Sequence, residues 1–133
     1  MGTDRYRRNA DSVCSLKYHL VWCPKYRRAV LVGEIASDLR TLLAEKAAAL
    51  AVDVHALDVL PDQVHLFVEG DPTQPVQFLV NQFKGSTSRR LRQRYPSLVT
   101  RLPSLWSRSY DAGTIGHVSE ETVRQYIAAQ QGV

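Results

Sequence analysis

Cysteine is scarce in this chain, methionine scarcer, and no long apolar run occurs anywhere along its 133 residues. The two cysteines, Cys14 and Cys23, stand nine positions apart in one strand-like run. An extended segment holds them too far apart for the close approach a disulfide requires, so they are read as reduced thiols. No stretch approaches the roughly 18 apolar residues of a membrane-spanning helix. The opening MGTDRYRRNADS lacks the apolar region of a signal peptide. These absences point to a cytoplasmic protein that does not enter a membrane. Gly2 follows Met1, but Tyr6 stands where a myristoylation signal has Ser or Thr, which excludes that lipid anchor. Repeats, low-complexity tracts and linkers are also missing, and the length suits one domain over 1–133 with a real hydrophobic core. Lys and Arg number 17 against 13 Asp and Glu, net +4. That surplus suits a polyanionic partner without demanding one.

What is present reads as alternating strands and helices. Residues 1–12 are polar and basic, a loose arm. From Val13 to Cys23 the chain alternates Cys14, Leu16, Tyr18, Leu20 and Trp22 against a mostly polar set, Val13, Ser15, Lys17, His19 and Val21, which predicts a strand with one buried side. Pro24 ends it, and a turn carries Lys25, Arg27 and Arg28. After Gly33, Ile35, Leu39, Leu42, Leu43, Lys46 and Leu50 recur at helical spacing. VDVHALDVL and QVHLFVEG, joined by Pro61-Asp62, predict a hairpin. Val76, Leu79, Val80, Phe83 and Leu91 predict a second helix, interrupted and kinked at Lys84-Gly85-Ser86 and ended before Pro96. A fourth strand is expected where Leu105, Ser107 and Ser109 alternate with Trp106, Arg108 and Tyr110, with a glycine-bounded turn after it. A last helix over 118–131 begins at the N-cap Ser119. The order strand, helix, strand, strand, helix, strand, helix is that of an α+β ferredoxin-like or RRM-like sandwich: a four-stranded antiparallel sheet, helices on one face, and an added C-terminal helix.

The polar residues of one strand stand out. Gln63 and His65 flank Val64 in a run that otherwise reads as core, and their spacing puts both on one strand face. An amide oxygen and an imidazole nitrogen could serve one divalent metal. Tyr126 and Gln130, four apart on the last helix, face the same way; a tyrosine hydroxyl beside a metal is a nucleophile suited to a phosphodiester. The same spacing also suits two solvated residues on an open sheet face, with Tyr126 and Ile127 as packing. His19 and His55 read as lone strand histidines, satisfied by surroundings rather than chemical. Lys84, Arg89 and Arg90 fit either a solvated helix face or a phosphate-contacting one. Trp22, Tyr26, Trp106 and Tyr110 are candidate stacking surfaces for bases, with core packing the stronger expectation for the tryptophans. No segment carries the aromatic motifs of RNA-recognition domains, which disfavours a general RNA-binding reading.

Five motifs occur in a familiar order: YHLVWCPKYRR (18–28), LPDQVHLFV (60–68), FKGSTSRRL (83–91), LWSRSY (105–110) and VRQYIAAQ (123–130). Together they make the chain resemble the small single-tyrosine HUH transposases of insertion sequences of the 200/605 type, relatives of the repeat-associated tyrosine transposases. The resemblance implies cleavage and rejoining of single-stranded DNA at hairpin-bearing ends, through a 5′-phosphotyrosine intermediate and a Mg²⁺ or Mn²⁺ ion. It assigns Tyr126 as nucleophile, His65 as the second histidine of the HUH pair and Gln130 as the third metal ligand. It implies a homodimer, and DNA facing Lys25, Arg27, Arg28, Lys84, Arg89 and Arg90. The chain departs from the pattern P-D-H-V-H-L at Gln63, where the family has its first histidine. Glutamine's hard carbonyl oxygen is acceptable to Mg²⁺, so Gln63 is expected either to remain a weaker ligand or to mark a protein that binds hairpins without cutting them.

Overall fold

The computed structural model describes residues 16–115. The expected arm at 1–12, the strand start at 13–15 and the helix at 118–131 with Tyr126 and Gln130 lie outside the described residues. Strand β1 (Leu16–Trp22) alternates as its sequence implies. Tyr18, Leu20 and Trp22 are buried toward the helices, and Lys17, His19 and Val21 take the other face. Pro24 has no N–H to continue the ladder, and Lys25–Arg27 form a tight turn in which Tyr26 and Arg27 take left-handed φ of 60° and 51°. Helix α1 (Gly33–Ala49) buries Ala36, Leu39, Leu43 and Ala47, a single stripe at helical spacing. It closes in a Schellman motif: the Ala51 N–H donates to the Ala48 carbonyl at 3.1 Å and the Val52 N–H to the Ala47 carbonyl at 2.9 Å. Ala51 has φ of 56°, a left-handed position at which glycine is usual.

Strands β2 (Asp53–Leu60) and β3 (Gln63–Gly70) form the expected hairpin over Pro61-Asp62. Its register runs from Leu60 opposite Gln63 to Asp53 opposite Glu69, with an irregularity between Val54 and Ala56. Helix α2 (Val76–Arg94) buries Leu79, Val80, Phe83, Thr87 and Leu91. The interruption expected at Lys84-Gly85-Ser86 does not occur; the helix runs unbroken through Gly85. Core anchors on either side explain this, since Phe83 and Thr87 are both wholly buried and the Thr87 hydroxyl donates to the Phe83 carbonyl at 2.7 Å. A one-turn helix α3 (Ser97–Thr100) follows Pro96.

The fourth strand is also displaced. β4 covers Asp111–Ile115, the residues read as a turn, while 105–109 form an irregular packed segment. Three sets of contacts hold that segment against β1 and α2. The Lys25 N–H donates to the Leu105 carbonyl at 2.8 Å and the Ser107 N–H to the Cys23 carbonyl at 2.9 Å. The Trp106 indole N–H reaches the Lys84 carbonyl and the Thr87 hydroxyl, each at 3.1 Å. The Lys84 ammonium donates to the Ser107 carbonyl at 2.7 Å.

The sheet order is β2-β3-β1-β4, antiparallel throughout, the ferredoxin-like arrangement anticipated from the element order. Tyr18, Leu20, Trp22, Val64, Leu66 and Val68 pack with Leu39 and Leu43 of α1 and with Leu79, Val80 and Phe83 of α2. Trp22 lies parallel to Phe83 at 6.5 Å and edge-on to Trp106 at 6.0 Å. Both tryptophans are core residues. Cys23 is a free thiol, and no described helix is long and apolar enough to cross a membrane.

Candidate functional site

Because β3 turns Val64, Leu66 and Val68 toward the helices, Gln63, His65 and Phe67 emerge on the opposite face. The neighbouring strands add to them. Val21 stands opposite His65 and His19 opposite Phe67; Asp58 stands opposite His65; Asp111 stands opposite Val21. The register thus gathers Gln63, His65, His19, Asp58 and Asp111 on one side of the sheet. This face is not the solvated surface that spacing alone allowed, since His65 is 1% exposed, His19 9% and Phe67 wholly buried.

The polar side chains touch in sequence. His65 Nε2 lies 3.1 Å from Gln63 Oε1, and His65 Nδ1 lies 3.2 Å from His19 Nε2. An amide oxygen can only accept, so Nε2 carries the His65 proton and Nδ1 accepts from His19. Burial holds both imidazoles below their ordinary pKa; Asp58 partly opposes this at His65, and His65 adds to it at His19. Both rings are therefore neutral at pH 7, the state in which an imidazole nitrogen can bind a metal. The pair offers donor types that a hard divalent ion accepts, an amide oxygen and an imidazole nitrogen, and their 3.1 Å contact is a hydrogen bond that a shared ion would displace. It supplies two donors; among the described residues no group of three or more His, Cys, Asp or Glu could hold a metal.

The basic residues separate into two places. The turn bearing Lys25, Arg27 and Arg28 lies at the same end of the sheet as Gln63, as the 3.2 Å ion pair between Arg27 and Asp62 shows. Tyr26 is 66% exposed there, with the Lys25 ammonium 5.5 Å above its ring. Arg89 and Arg90 are exposed on α2, in the layer behind the sheet. Lys84, read from sequence with those arginines, is instead half-buried, and its ammonium is held by the Ser107 carbonyl at 2.7 Å and the Ser109 carbonyl at 3.4 Å. Desolvation lowers its pKa.

Sequence reasoning missed His19 and Asp58. Both have the strand parity of a site residue, but only the β1–β3 and β2–β3 registers show that they meet His65. His55, the other lone histidine, binds Glu69 at 2.7 Å, in keeping with a satisfied group.

A family model described as "Transposase IS200 like" matches residues 12–130. The ISDra2 transposase TnpA of Deinococcus radiodurans is 38% identical over 120 residues, which are 89% of this chain and 86% of that protein. The transposase for insertion sequence element IS200 of Salmonella typhimurium is 27% identical over 86% of this chain and 76% of its own length. Among solved structures, one described as a transposase from D. radiodurans R1 superposes with a TM-score of 0.72 at 35% identity, over 89% of this chain and 92% of that one. A REP-associated tyrosine transposase bound to a REP hairpin shares the fold at 13% identity, with a TM-score of 0.60 over 84% of this chain and 61% of that one.

Proposed function

Since the chain belongs to the IS200-like transposase family, we propose that it cleaves and rejoins single-stranded DNA at hairpin-bearing element ends, with Tyr126 as nucleophile. The carrying observation is the convergence of Gln63 Oε1 and His65 Nε2 at 3.1 Å on one strand, where the sequence pattern puts the HUH pair. His65, Gln63 and Gln130 would hold Mg²⁺ or Mn²⁺. When bound, that ion supplies positive charge to the scissile phosphate and helps align it. The Tyr126 oxygen forms a bond to phosphorus as the bond to the 3′-oxygen breaks, leaving a 5′-phosphotyrosine and a free 3′-OH; the phenolic proton passes to solvent and the departing 3′-oxygen takes one up from it. Attack by another 3′-OH reverses the step and joins a new end without ATP. Lys25, Arg27 and Arg28 flank the pair and hold backbone phosphates, with Arg89 and Arg90 as a second contact region. Lys84 acts through the segment it tethers. A homodimer, as the resemblance implies, is part of this reading.

One observation favours a second reading. The contact that makes the pair converge also lets Gln63 and His65 satisfy each other without metal, as a hairpin-binding protein derived from such a transposase would need. Incubation with hairpin oligonucleotides drawn from the DNA flanking the gene, plus Mn²⁺, followed by denaturing electrophoresis, separates the two. A covalent protein–DNA band supports the transposase; a shift on native gels alone supports the binding protein.

A further inference from the structure

His65 is held at both ring nitrogens, and the two contacts differ in kind. On the Nε2 side, Gln63 Oε1 can only accept. On the Nδ1 side, the partner is another imidazole, His19 Nε2 at 3.2 Å, with the rings 5.4 Å apart and inclined by 25°. An imidazole nitrogen donates in one tautomer and accepts in the other, so His19 can complement either proton placement on His65. We propose that His19 is a positioning residue for the metal-binding form of His65. Without metal, Nε2–H points at Gln63 and Nδ1 accepts from His19. For Nε2 to present its lone pair to a cation, the His65 proton must sit on Nδ1, and His19 must then accept it with its own proton on its own Nδ1. Each ring keeps one proton, so neither gains charge; the His65 ring keeps its place, and the Gln63 amide, which occupies the Nε2 direction without metal, moves aside to admit the cation. A carboxylate or a carbonyl at position 19 could serve only the second arrangement; a lysine only the first. The burial of both rings removes water as a substitute partner, which makes the His19 contact decisive for ring orientation.

This inference rests on the reading of Gln63 and His65 as metal ligands, and its test keeps the two apart. Mn²⁺ alone, without DNA, is titrated into the protein and followed by electron paramagnetic resonance. His19→Phe is expected to weaken Mn²⁺ binding about tenfold to a hundredfold, while His19→Gln, whose amide can also donate or accept, stays within about threefold of the parent. His65→Ala binding Mn²⁺ like the parent would overturn the ligand assignment and this inference with it. His65→Ala losing the ion while His19→Phe keeps parental affinity would overturn the inference alone. A measurement on the unaltered chain guards against misfolded variants: long-range ¹H–¹⁵N correlation spectra are expected to show His65 protonated at Nε2 without metal and at Nδ1 with Mg²⁺. A His65 ring averaging between tautomers in both states overturns the proposal.

Discussion

Under the proposed reading, Gln63 stands where a two-histidine pair has an imidazole. An imidazole nitrogen is the better donor for Mn²⁺, so Gln63→His is expected to tighten Mn²⁺ binding and raise covalent attachment at limiting metal. Unchanged affinity in a Mn²⁺ titration would show that position 63 is not a ligand. A second residue-scale expectation concerns Ala51, whose left-handed φ of 56° closes α1. Relief of the steric cost, less the extra freedom of an unfolded glycine, should make Ala51→Gly more stable by about 0.5–1 kcal/mol. A thermal melt checks this, and a lower midpoint contradicts it. At this scale the sequence showed Gln63 and His65 through their spacing of two, a property of one strand. It did not show His19, which meets His65 only through the pairing of β1 with β3, and register between distant strands leaves no local trace.

Elements were legible where their periodicity was local. α1, the β2–β3 hairpin and α2 follow from spacing and turn residues, whereas β4 was misplaced because 105–110 alternate while being held irregularly by Cys23, Lys25, Lys84 and Thr87. Lys84 marks the difference between a charge on a helix face and a charge used inside the fold. Lys84→Met should lower stability by about 1.5–3 kcal/mol, the usual contribution of hydrogen bonds that involve a charged group, measurable by urea unfolding; parental stability would show that the tether is dispensable. The turn at 25–28 behaves oppositely. Arg27 is paired with Asp62 at 3.2 Å, but its side chain is 63% exposed, and such a pair contributes at most about 1 kcal/mol. Arg27 can therefore exchange Asp62 for a phosphate at little cost. Arg27→Ala and Arg28→Ala should each flatten the salt dependence of single-stranded DNA binding, by about 0.7 in log–log slope per lost contact. An unchanged slope would place DNA elsewhere.

For the molecule as a whole, the ferredoxin-like fold was readable from element order, and its two faces divide the work: core and helices on one, polar strand residues on the other. Burying His19 and His65 uncharged ties stability to pH. Their folded pKa values lie below the ordinary 6.5, so the unfolded chain binds more protons as pH falls past that value. Stability is therefore lost below about pH 6.5, levelling off once the folded rings also protonate. Melts in EDTA should show a lower midpoint at pH 5.5 than at 7.5, with a smaller drop in His19→Gln; an acid-side rise contradicts the assignment. The central claim, that the chain transfers DNA strands through Tyr126, is tested most directly by mapping the covalent product. After reaction with hairpin DNA and Mn²⁺, nuclease trimming and proteolysis, mass spectrometry should find the nucleotide adduct on the peptide carrying Tyr126, and none in Tyr126→Phe. An adduct on another residue, or undiminished attachment in Tyr126→Phe, would contradict it.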